Sequence, residues 1–219
     1  MMTIIDLQRA VGAAPDGQWG PRSRAALLAQ FSNTRAAALS PGDIASAAVR
    51  LGCSIRQLNA VRKVESSGRG FDAAGRPKIL FERHRFHKWT GGRFSPAAFS
   101  QRDSGGYNED SWAKLNGAIA TGAVEEAFQA CSWGAFQVMG EWWDELDYDS
   151  PYAMARAAAE SEAAQLDMLI RYIEHFRLQD ELALLTSNPA TCKPFAAAYN
   201  GAGYRRNLYD ERLAAEMAE

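Results

Sequence analysis

Ile4, Leu7 and Val11 recur at helical spacing, and Pro15-Asp16-Gly17 breaks the pattern before a second run opens at Pro21 and carries Leu27, Leu28 and Phe31. This spacing predicts two short helices around a turn. Proline suits the first helical position, where its missing N–H would have no partner anyway. A piece of about thirty residues buries too little apolar surface to stand alone and must lean on something else. Ser32 to Leu39 is polar and alanine-rich, with no large apolar anchor before its last residue, and reads as a linker; Ala36 to Leu39 is also compatible with a helix. The chain therefore divides into a helical segment, residues 1–35, and a larger unit, residues 36–219.

The larger unit opens with strong capping signals. Ser40 is placed as an N-cap, with Pro41 at the first helical position and Asp43 near the positive helix end. Ile44, Ala47, Ala48 and Leu51 form one apolar stripe, and Gly52 is a natural stop. Ser54 with Gln57 reads as a capping box for the next helix. Lys78 to Glu82 (KILFE) is the one convincing strand-like run. Pro151 to Phe176, carrying Met154, Leu166, Leu169, Ile170 and Ile173, reads as one long helix, and Asn207 to Met217 as a closing helix. The expected fold class is mainly α with a small β element.

Composition narrows the function classes. No stretch approaches the run of about 18 apolar residues that spans a bilayer, so stable membrane insertion is not expected. The start, MMTIIDLQRAVGAAPDGQ, lacks a basic leader and an uninterrupted apolar core, unlike a secretory signal. Lys+Arg 24 against Asp+Glu 26 gives a net charge of −2, which argues against a nucleic-acid partner. Cys53, Cys131 and Cys192 are an odd set without CxxC spacing, and read as reduced thiols. His84 and His87 stand three apart near Glu82, but no HExxH is present and a third ligand is not evident, so no metal and no cofactor is expected. The basic stretch Arg83 to Lys88, with Phe86 and Trp89, is short and reads as a solvated face or a contact to an anionic partner. Trp142 and Trp143 fit a core or a cleft equally well.

Two carboxylates stand out. Leu58, Val61 and Glu65 lie at spacings of three and four, on the inward face of the helix from Ser54. A carboxylate at the end of that face is partly desolvated, which raises its pKa. Glycosidic cleavage at neutral pH needs an acid that keeps its proton until the leaving oxygen takes it, and Glu65 has that placement. The bland alternative is a helix-end glutamate reaching water or bonded to the following serines. Ser66, Ser67, Gly68 and Gly70 come next, predicting a helix end whose backbone can approach a ligand. In KILFE, alternation puts Leu80 and Glu82 on one face, so Glu82, 17 residues after Glu65, could return beside it. Its bland alternative is an ion pair with Arg83 or Arg85.

Three motifs then fall in one order. Val64-Glu65-Ser66-Ser67-Gly68 resembles the glutamate-serine motif of goose-type lysozymes and soluble lytic transglycosylases. Ser132-Trp133-Gly134-Ala135-Phe136-Gln137-Val138-Met139-Gly140 resembles their glycine-x-x-glutamine motif, and Ala198-Tyr199-Asn200-Gly201 their alanine-tyrosine-asparagine motif. With Gly75-Arg76-Pro77-Lys78-Ile79-Leu80-Phe81-Glu82-Arg83-His84 and YNGAGYRRNLYDERLAA, the chain from about Leu39 onward resembles the N-acetylmuramidase family of phage endolysins. The commoner phage lysozyme pattern is not met, since eight residues separate Glu65 from Ala74, where that pattern has an acidic residue or cysteine.

The resemblance implies a lysozyme-like helical domain that cleaves peptidoglycan between N-acetylmuramic acid and N-acetylglucosamine. Glu65 would be the catalytic acid and Glu82 the second carboxylate, with Gln137, Tyr199 and Asn200 lining the cleft and Ser132 supporting it. It further implies a monomer held in the host cytoplasm until a membrane lesion releases it to the wall. Leu7-Gln8, Asp16-Gly17-Gln18-Trp19-Gly20-Pro21 and Arg24-Ala25-Ala26-Leu27 resemble a three-helix peptidoglycan-binding domain, in which Asp16, Gly17 and Trp19 would contact the wall. The segment is shorter than that module, and Trp19 could instead staple helices together. Two alternatives stay open: a lytic transglycosylase, which shares the three motifs and leaves anhydro-muramic ends, and a non-catalytic wall-binding or phage structural protein.

Overall fold

The computed structural model describes residues 1–65 and 69–219. Helices dominate, around one small sheet. Helix α1 (Ile4–Ala10) is closed at its start by a Thr3–Asp6 capping box, and α2 (Pro21–Phe31) begins on Pro21 as expected. In α3 (Pro41–Leu51) Ser40 and Asp43 form a reciprocal capping box, and Gly52 ends the helix at φ +67°, a left-handed conformation that a side chain would oppose. Ser54 and Gln57 bond reciprocally at the head of α4 (Ile55–Glu65). The linker after α2 contains no helix, and Ala36 to Leu39 is irregular. It is tied down instead: Asn33 donates its amide to the carbonyls of Ala159 and Glu160, and its backbone N–H to Gly75.

The KILFE run forms β1 (Ile79–Phe81), which pairs antiparallel with β2 (Cys131–Trp133), and β2 with β3 (Val138–Met139). The register sets Ile79 opposite Trp133 and Leu80 opposite Ser132. Helix α5 (Arg83–Trp89) follows β1 directly, and α6 (Ser111–Ile119) and α7 (Val124–Gln129) lead into the hairpin.

The long helix expected over Pro151 to Phe176 is two helices, α8 (Pro151–Ala158) and α9 (Glu162–His175). Ser161 interrupts it by accepting a hydrogen bond from Ala164 N–H as the N-cap of α9. Apolar periodicity runs through both helices, so spacing alone hid the break. Short α10 (Gln179–Ala183) and α11 (Pro189–Asn200) follow; a 3₁₀ turn, Gly201–Asn207, then joins α11 to α12 (Tyr209–Ala218), which packs on α4 and α11.

A single core runs through both parts of the chain. Phe31, fully buried at the end of α2, stacks on Trp133 and Phe128 with ring centroids 5.8 and 6.3 Å apart, and meets Trp112 and Tyr152 edge-on. Burying such a ring contributes roughly 2 kcal/mol, which is how a segment too small to fold by itself is kept in place. Among the described residues no helix is long and apolar enough to cross a membrane.

Candidate active site

Helix α4 buries Leu58, Ala60, Val61 and Val64, and Glu65 is its last residue. The carboxylate sits mostly out of solvent, and burial pushes its pKa up to about 7, against the weaker lowering effects of the Asn200 amide and the Arg212 cation. Asn200, the last residue of α11, donates Nδ2–H to Glu65 Oε1 at 3.1 Å. Residues 135 positions apart are joined because α12 packs against both α4 and α11. Arg212 of α12 donates to the Val64 carbonyl at 2.8 Å, satisfying one of the carbonyls left free at the end of α4 and placing a cation at its negative pole.

Three tyrosines lie within the field of the carboxylate. The Tyr199 hydroxyl donates to the Phe136 carbonyl at 3.3 Å, and its ring stacks on Phe195 and meets Tyr172 edge-on. Burial raises the phenols of Tyr199, Tyr172 and Tyr209, and the Glu65 charge raises them further. All three therefore remain neutral hydrogen-bonding groups at neutral pH. Trp142 meets Phe176 and Tyr172 edge-on and joins this aromatic wall from the core side. Sequence reasoning had not singled out Tyr172, Tyr209 or Arg212. Arg212 and Tyr209 stand in the YNGAGYRRNLYDERLAA stretch, which carried a signal; Tyr172 lies in an ordinary-looking helix.

The other expected site residues have different tasks. Ser132 Oγ donates to Gln137 Oε1 at 2.7 Å, and Gln137 Nε2 donates to the Gly134 and Lys78 carbonyls. Gln137 adopts φ +50°, so this amide locks a strained turn between β2 and β3. The turn in turn presents Phe136 to Tyr199. Glu82 lies one residue past β1, its N–H donating to Ala130 O, and its carboxylate faces His84 Nδ1 at 3.2 Å. Arg83 and Arg85 are engaged elsewhere, with the Asp103 and Ser104 carbonyls and with Glu141. His87 Nδ1 pairs with Ser95 Oγ. Among the described residues the groups acting on Glu65 do not include Glu82.

Ser66, Ser67 and Gly68 lie outside the described residues. Gly70 is buried, its N–H donating to Glu162 and its carbonyl accepting from Lys78 N–H. A Cβ at Gly70 would overlap the Gln165 amide, so this glycine makes room for protein and not for a ligand.

Of the N-terminal trio, Trp19 turns inward while Asp16 is exposed and Gly17 half-buried. Trp19 is 6% exposed and donates Nε1–H to Asn116 Oδ1 of α6 at 3.0 Å. The flat face expected for a sugar is therefore packed on the protein, because the indole anchors residues 1–35 to the larger unit. Asp16 accepts from Gln8 and from Gln18 N–H, and Gly17, at φ +76°, donates to Gln8 Oε1. Asp16 and Gly17 build a tight turn around a fully buried glutamine.

A carboxyl that keeps its proton near neutrality is one of the two acidic groups that glycosidic cleavage calls for. The model of one family, N-acetylmuramidase, matches residues 54–219, about three quarters of the chain. The chain belongs to the N-acetylmuramidase family. The chain is also similar to the crystal structure of the Burkholderia AP3 phage endolysin. The TM-score is 0.74 at 29% sequence identity, covering 98% of this chain and 93% of that one. The similarity thus extends beyond the family match into residues 1–53. No curated protein sequence matches the chain.

Proposed function

We propose that the chain is an endolysin that hydrolyses the β-1,4 bond between N-acetylmuramic acid and N-acetylglucosamine in peptidoglycan, with Glu65 as the general acid. The observation that carries this reading is the environment of Glu65: a carboxyl largely withdrawn from solvent and held by Asn200, with its pKa pushed up to about 7. At neutral pH a substantial fraction of such groups keeps its proton and can pass it to the leaving glycosidic oxygen as the muramic ring gains oxocarbenium character. The Asn200 amide accommodates both states, since Glu65 Oε1 accepts its N–H whether or not the other oxygen carries the proton. Family membership and the similarity to a phage endolysin support the substrate class and the setting. Glu82, which faces His84, is the candidate second carboxylate for stabilising charge or activating water.

The test is release of soluble fragments from purified peptidoglycan by wild type and by Glu65→Gln. The variant should lose about 100-fold or more of the rate while keeping a native circular-dichroism spectrum. A Glu65→Gln protein as active as wild type would refute the assignment.

A further inference from the structure

Gln165 is a buried side chain whose hydrogen bonds all go to the backbone of other segments. It sits in the first turns of α9, 1% exposed. Its Oε1 accepts Ala135 N–H at 2.8 Å; its Nε2 donates to the Ala158 carbonyl at 2.8 Å and to the Gly70 carbonyl at 3.4 Å. One amide thus joins the end of α8, the start of α9, the β2–β3 turn and the strand of chain that follows Glu65.

Two glycines are shaped around it. A Cβ at Gly134 would lie 2.5 Å from Gln165 Cδ, and one at Gly70 would overlap Oε1. Gly134 also has φ +72°, which favours glycine by itself, but Gly70 does not lie in the left-handed region. At Gly70 the atoms nearest to such a Cβ all belong to the Gln165 amide.

The contacts lead onward to the acid. Ala135 N–H is held by Gln165, and the next residue offers its carbonyl to the Tyr199 hydroxyl. Tyr199 precedes Asn200, which donates to Glu65. We infer that Gln165 is a positioning residue of the muramidase site, orienting the Ala135–Phe136 turn so that Tyr199 and Asn200 stay seated against Glu65. The inference rests on Glu65 being the acid. The break between α8 and α9 belongs to the same device, because it frees the Ala158 carbonyl for Gln165 and lets α9 start where this side chain reaches the turn.

The experiment compares kcat, KM and the pH profile of wild type, Gln165→Leu, Gln165→Glu and Glu65→Gln on soluble peptidoglycan fragments. Gln165→Leu should fold and lose kcat by about 10- to 100-fold with little change in KM, since a small misplacement near the chemistry has that effect. Its alkaline limb should move upward as the Asn200 hydrogen bond loosens. In Gln165→Glu the protonated carboxyl can still accept from Ala135 and donate to Ala158, whereas the ionised form repels both carbonyls. Its rate relative to wild type should therefore rise as pH falls from about 8 to about 5, the range in which a buried glutamate titrates. A Gln165→Leu protein with wild-type kcat and only a lower melting temperature would overturn the inference. If that variant does not fold, a pH-independent rate ratio for Gln165→Glu overturns it instead. Full activity in Glu65→Gln would remove the acid assignment itself, and the inference with it.

Discussion

Replacing Glu65 by glutamine should stabilise the protein, and by an amount that grows with pH. An ordinary glutamate titrates at 4.5 and Glu65 at about 7, raised chiefly by burial. Between those values the folded protein holds a proton that the unfolded chain has released, so stability falls as pH rises through this window. The whole interval corresponds to roughly 3 kcal/mol. Below it both states are protonated and the cost is absent; above it the cost is complete. Glutamine stays neutral throughout and keeps an oxygen for Asn200 Nδ2–H, so it mimics the protonated acid. Urea unfolding of both proteins, followed by tryptophan fluorescence, should give coincident stabilities near about pH 4 and a Glu65→Gln advantage of about 3 kcal/mol by about pH 8.5. For a protein whose total stability is on the order of 10 kcal/mol this difference is large. A constant offset between the two curves, or a less stable variant at high pH, would show that the carboxyl is not desolvated as the structure has it.

Other perturbations read the same site from its neighbours. Asn200→Ala removes a hydrogen bond that favours the ionised acid, so the alkaline limb of the rate profile should move upward while kcat falls; an unmoved limb would contradict this. Arg212→Gln removes a cation with the same sense of effect and takes a charged donor from the Val64 carbonyl. It should also cost about 2 kcal/mol of stability, measured by the same unfolding assay. Phe31→Ala should lose about 4 kcal/mol by leaving a cavity among Trp112, Phe128, Trp133 and Tyr152. Deletion of residues 1–35 should likewise leave no cooperatively folded, active remainder, and calorimetry showing an intact unfolding transition would sink that expectation.

Much of the architecture was legible because the signals are local. Ser40 with Asp43, Gly52, Ser54 with Gln57 and Pro21 each act within four residues, and each does so in the structure. The apolar face ending at Glu65 was equally readable from spacing. What escaped depends on distant partners or on elements too short to show a period. Strands β2 and β3 have three and two residues, below the length at which alternation can be seen. The break at Ser161 lies inside a continuous apolar rhythm, and its purpose appears only when Gln165 meets Gly70, Ala135 and Ala158. Trp19 looked like a sugar platform because its partner, Asn116, is 97 residues away. Arg212 and Tyr172 are brought into the electrostatic field of Glu65 by helix packing that no local pattern encodes.

The most direct test of the central claim is mass spectrometry of the products from purified peptidoglycan treated with wild type and with Glu65→Gln. Reducing muramic ends from wild type, absent with the variant, are the predicted result. Anhydro-muramic ends, or reducing muramic ends at undiminished yield from the variant, would contradict the account.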